Sequence, residues 1–111
     1  MHNKDYYMLL SLQETIEKIL RYCSGYQNVE EFYQNGRDFD ATMMNFVVIG
    51  EMVDKISDEL KSNHPEIEWI KIKGFRNIVA HDYFGIDAEE VWQIIRNKIP
   101  DLKSALRQLS Y

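Results

Sequence analysis

Between Met43 and Leu60 the apolar residues fall into two adjacent stripes, and no other feature restricts the fold as strongly. Met43, Phe46, Ile49, Val53, Ile56 and Leu60 share one line at helical spacing, and Met44, Val48 and Met52 form a second line beside it. So wide an apolar face exceeds what a single neighbouring helix can cover. A helix of this kind is buried on more than one side, as the central helix of the domain, as an interface between copies of the chain, or as both. We take both roles as the expectation.

The flanking segments repeat the helical period. Leu9, Leu12, Ile16, Ile19, Leu20 and Cys23 predict a helix from about Asn3 to Cys23, stopped by Ser24-Gly25. Asn28 with Glu31 has the form of a capping box opening a short second helix over Val29-Glu30-Glu31-Phe32-Tyr33, and Asn35-Gly36 supplies the turn that follows. After the central helix, Asn63-His64-Pro65 marks a break, with Pro65 suited to the first position of the next helix. Trp69, Ile72, Phe75 and Val79 continue at helical spacing, with Gly74 as a weak point. Asp87 and Glu90 form a second capping box, ahead of a helix carrying Val91, Ile94, Ile95, Leu102, Leu106 and Leu109, which Pro100 should kink or split. The fold class is therefore all-α: four to five helices joined by short turns in an up-and-down bundle, homodimeric through the broad central face.

At 111 residues the chain has the size of one domain, taken as residues 1–111. No stretch approaches the roughly 20 apolar residues that cross a bilayer, so no membrane partner is expected. The polar start Met1-His2-Asn3-Lys4-Asp5 lacks the form of a secretory signal, which points to the cytoplasm. The lone Cys23 repeats with the apolar residues of the first helix and is read as a small core residue. His2, His64 and His81 lie far apart, without partners at metal-ligand spacing, so no metal or other cofactor is expected. A net charge of −5 argues against a nonspecific nucleic-acid coat, though it does not exclude chemistry on RNA at a local basic site.

One polar cluster stands out. Between Gly74 and Gly85 lie Arg76, Asn77, His81, Asp82 and Tyr83. A guanidinium fork suits phosphate oxygens, and an imidazole exchanges protons near neutral pH. Cutting RNA without a metal requires both abilities, because a proton must leave the ribose 2′-hydroxyl while charge builds on the phosphoryl oxygens. Five residues on an ideal helix span about 140°, so Arg76 and His81 would not share a face. A frayed helix end at His81, or a site assembled from two protomers, would bring them together. Taken singly, each residue has a plainer reading: a surface arginine, a core-edge histidine, a packing tyrosine.

The run Gly74-Phe75-Arg76-Asn77-Ile78-Val79-Ala80-His81-Asp82-Tyr83 resembles the R-x4-H-x-Y signature of HepT-type toxins in the HEPN superfamily. Ile49-Gly50-Glu51, Trp69 to Ile72, Ile86-Asp87 and Val91-Trp92 also resemble that family's pattern, so the likeness spans almost the whole chain. The resemblance implies a homodimeric, metal-independent endoribonuclease with its motifs gathered at the dimer interface. Arg76 would bind and stabilise the scissile phosphate, His81 would act as general acid or base, Asn77 would orient one of them, and Glu51 would be a neighbour of the site. It further implies a type VII toxin–antitoxin pair, in which a MntA-like nucleotidyltransferase antitoxin adenylylates Tyr83. Two other readings stay open: a non-catalytic helical dimer that binds nucleotide or docks a nucleotidyltransferase, and a purely structural dimerisation domain.

Overall fold

The computed structural model describes residues 3–80 and 85–109, and every described element is helical. The elements are α1 (Asn3–Cys23), α2 (Val29–Gln34), α3 (Gly36–Lys55), α4 (Asp58–Asn63), α5 (Trp69–Lys73), α6 (Phe75–Ala80), α7 (Ala88–Gln93), a π-helical turn (Ile94–Lys98) and α8 (Ile99–Arg107). They form five helical stretches, three of which are subdivided: α3 and α4, α5 and α6, and α7 through the π turn to α8. The all-α class and the number of stretches agree with the periodicity of the sequence.

Four helix starts have a local cause in a capping side chain. The side chain of Asn28 accepts from the Glu31 N–H, Asn35 from Asp38, Ser57 from Leu60, and Asp87 from both Glu89 and Glu90. These are the orphan donors of a first helical turn, satisfied by short polar side chains. Glu31 reaches back to the N–H of Gln27 rather than to that of Asn28, a one-residue variant of the capping box.

The breaks account for the departures from the sequence reading. The helix expected to run through Ile56 to Leu60 ends at Lys55, because Ser57 turns away to cap α4. Ser57 is held there by the buried Asp5 of α1, which accepts from the Ser57 N–H at 2.9 Å and from its hydroxyl. Ile56 and Leu60 remain buried on the same side, which is why the apolar stripe ran on unbroken. Pro65 does not open the next helix. It lies in a turn closed by Ile67 N–H to the His64 carbonyl, and the Trp69 indole N–H bonds that same carbonyl at 3.0 Å, so α5 begins only at Trp69.

Gly74 separates α5 from α6 while keeping right-handed helical angles, so the path bends without reversing. Ahead of Pro100, the chain relaxes into the π turn, whose end is marked by the Ile99 N–H bonding the Ile94 carbonyl five residues back. A widened turn is one way to relieve a proline ring that would crowd the preceding carbonyls, and α8 then restarts with Pro100 in its first turn.

One continuous core holds these pieces together. Leu9, Leu12, Ile16 and Ile19 of α1 meet Met43, Phe46, Ile49 and Val53 of α3, with Ile99, Leu102 and Leu106 of α8 closing the far side. Around the fully buried Phe32, the rings of Tyr26, Phe39 and Trp92 pack at 5.3–5.8 Å, tying α2 to α3 and α7. α3 is central as predicted, touching α1, α2, α5 and α6. Its second stripe is the less buried one: Val48 and Met52 are half-buried, and Met44 is 62% exposed. Cys23 lies in the core, as its spacing predicts.

Candidate functional site

The motif helix is fixed to α3 by one ring stack and one close approach. Phe75 is buried and stacks on Phe46 with centroids 5.3 Å apart, which locks the inward face of α6. Arg76, the next residue, is rotated by about 100° around the helix and faces the flank of α3 instead. There Gly50 lets the backbones close: a β-carbon on it would stand 2.8 Å from Arg76 Cβ and 2.9 Å from the Lys73 carbonyl oxygen. Real side chains do not approach so closely, so Gly50 is a condition for this packing.

Four charged side chains bridge α3 to α5 and α6 beside that contact. Arg76 donates from Nη1 to Glu51 Oε1 at 2.9 Å, and the same nitrogen lies 4.0 Å from Asp54 Oδ2. Lys73 Nζ pairs with Asp54 Oδ1 at 2.7 Å. Two acids three residues apart on α3 thus face two bases three residues apart across Gly74. The Asp54 carboxyl is held below the usual carboxylate range, chiefly by its hydrogen bond with Lys73 and that cation's charge, with smaller contributions from Arg76 and Lys61.

All four groups are partly solvated, from 28% exposure for the Arg76 side chain to 52% for Glu51. Exposed pairs of this kind contribute only about 0–1 kcal/mol to stability, so orientation of the arginine is their larger effect. Arg76 is aimed through a single nitrogen. Its Nε and Nη2 make no bond to another described residue, which leaves part of the guanidinium fork for an incoming anion.

Of the residues named from sequence, Arg76 and Glu51 come together directly, and Asn77 is exposed on α6 next to Arg76. His81 and Tyr83 lie outside the described residues. Asp54 and Lys73 were missed, although the matched spacings 51/54 and 73/76 are visible in the sequence once the two helices are known to be neighbours. Among the described residues no three His, Cys, Asp or Glu side chains gather as a metal site would need. Among the same residues no helix is long and apolar enough to cross a membrane.

Three relatives are similar to this chain. A protein of Thermococcus cleftensis named probable ribonuclease HepT is 31% identical over 107 residues, covering 96% of this chain and 94% of that protein. One named a candidate RNase in Methanocaldococcus jannaschii is 29% identical over 101 residues, or 91% of this chain and 83% of the relative. Another named a candidate RNase, from Caldanaerobacter subterraneus, is 28% identical over 80 residues, or 72% and 71%. No solved structure matches the chain. The ribonuclease HepT-like family pattern matches residues 12–109, which takes in α3, the Gly50 contact and the whole Arg76 to Tyr83 run, and the chain belongs to that family.

Proposed function

We infer that this chain is a metal-independent endoribonuclease, the toxin of a type VII toxin–antitoxin pair, acting in the cytoplasm as a homodimer of one HEPN-like domain per protomer. The observation that carries the reading is Arg76, pinned by Glu51 through one nitrogen with the remainder of its fork unengaged by any other described residue, inside a sequence run that matches the family. In this reading His81 takes the proton from the ribose 2′-hydroxyl. The resulting oxygen attacks phosphorus, the bond to the 5′-oxygen breaks, and a proton is returned to that leaving oxygen. The upstream fragment keeps a 2′,3′-cyclic phosphate and the downstream fragment a 5′-hydroxyl. Arg76 steadies the charge on the non-bridging oxygens, and Asn77 orients the phosphate or the histidine.

The dimer supplies what one protomer does not. Met44 shares a face of α3 with Glu51, two helical turns apart, so a partner covering Met44 and the half-buried Val48 would border the Arg76 site and set two motifs side by side. Adenylylation of Tyr83 by a MntA-like nucleotidyltransferase would place bulk and negative charge beside Arg76, where the substrate phosphate has to sit.

The deciding experiment uses protein purified without any co-expressed transferase. RNA cleavage that persists in EDTA, leaves cyclic phosphate ends and disappears in Arg76→Ala and His81→Ala supports the reading. RNA left intact, with nucleotide still bound and His81→Ala without effect, would replace it with a non-catalytic dimer that holds nucleotide or docks a transferase.

A further inference from the structure

We propose that Lys73 is a second phosphate-binding cation, taking the backbone phosphate one nucleotide away from the one Arg76 holds. The inference rests on the ribonuclease reading of Arg76 and adds a subsite to it. Lys73 and Arg76 stand three residues apart along a path that stays helical through Gly74, so their stems rise on one side about 5–6 Å apart, roughly one step of an extended RNA strand.

Both face the same flank of α3: Lys73 is anchored to Asp54 at 2.7 Å, and Arg76 to Glu51 at 2.9 Å with Asp54 a further 4.0 Å neighbour. The lysine side chain is 43% exposed, so its ammonium can meet a phosphate without rearrangement of the helix. The segment that carries both cations is basic, although Glu51 and Asp54 of α3 offset Lys73 and Arg76 across the contact. From Trp69 to His81 the chain carries Lys71, Lys73 and Arg76 and no acid, within a protein of net charge −5, and Lys61 is near enough to act on Asp54. Lys71 pairs instead with Glu68, the residue just ahead of α5, at 3.2 Å.

Neutral methylphosphonate linkages test the assignment. An RNA oligonucleotide cut by the wild-type protein at a mapped bond is remade with one flanking phosphate neutralised, first upstream and then downstream. At one of the two positions the wild type should lose about threefold to fivefold in kcat/KM, in line with one exposed ionic contact. Lys73→Ala should show that loss on the natural RNA and no further loss on the modified one, while Lys73→Arg restores the wild-type response and Lys71→Ala resembles wild type. The salt dependence of binding by Lys73→Ala should be shallower by about 0.7 in log–log slope.

Asp54→Asn provides a check that does not depend on removing the lysine. Releasing Lys73 from its carboxylate should raise the preference for the natural RNA over the modified one. If Lys73→Ala and wild type lose equally at both positions, and Asp54→Asn leaves the preference unchanged, Lys73 is only a brace between α5 and α3. Failure of the wild type to cut the natural RNA would instead remove the ribonuclease reading, and this subsite with it.

Discussion

Gly50 of α3 lies directly against Arg76 of α6, so close that a β-carbon on the glycine would fall 2.8 Å from Arg76 Cβ. The other obstacle, the Lys73 carbonyl at 2.9 Å, is backbone and cannot swing aside. Gly50→Ala therefore sets two effects against each other. Alanine gains up to about 1 kcal/mol of helix propensity, while overpacking at a fixed helix contact costs about 1–3 kcal/mol. We expect a net loss of about 1–2 kcal/mol by denaturant melts, with RNA cleavage reduced more than stability because Arg76 is what moves. Gly25→Ala, with nothing within 4 Å of its added carbon, is the control and should leave both unchanged.

Helices were legible in the sequence because burial imposes the 3.6-residue period on the residues themselves: the first helix was placed at Asn3 to Cys23, where α1 lies. The break at Ser57 was not, since Ile56 and Leu60 stay on the buried side whether or not the helix continues. Its cause, Asp5, is 52 positions away in the chain. The same limit hid Lys73 and Asp54, whose pairing exists only once α5 is laid on α3. Arg76 stood out by the chemistry of its cluster and Glu51 only through the family pattern, while no spacing rule links positions 51 and 76.

Asp5 offers the clearest stability test away from the site. Its buried carboxylate accepts two hydrogen bonds from Ser57 and sits in the first turn of α1, where negative charge opposes the helix dipole favourably. Asp5→Ala leaves the Ser57 N–H unpaired and loosens the cap of α4. The expected cost is about 1–3 kcal/mol in chemical denaturation, the range for a buried donor left without its partner. A change below about 0.5 kcal/mol would show that water replaces the carboxylate freely.

Burial pushes the Cys23 thiol up from 9.0 to about 11, against a smaller opposing effect of its hydrogen bond with Thr42. A thiol whose folded value is raised stabilises the fold fully below its unfolded value, and that contribution is lost as pH rises through about 11. Because the thiolate is the reactive form, alkylation of the native protein at pH 8 should run at least about a hundredfold slower than in denaturant. Labelling at comparable rates in the two states would mean that the α1–α3 core opens readily around Cys23.

Glu51 holds Arg76 and also places a negative charge 2.9 Å from the group meant for phosphate, so its two effects on RNA have opposite signs. Substitution separates them. Glu51→Gln keeps an oxygen that can accept from Arg76 Nη1 and removes the charge, so KM for RNA should fall by a few-fold with kcat near wild type. Glu51→Ala removes the charge and the acceptor together; the guanidinium then samples several rotamers, and kcat should fall by about tenfold, the scale of losing one orienting hydrogen bond of about 1.4 kcal/mol. Steady-state kinetics on a single RNA distinguish the cases. Equal losses of kcat in both variants would mean that the negative charge itself is needed, making Glu51 a participant in proton transfer rather than a support for Arg76.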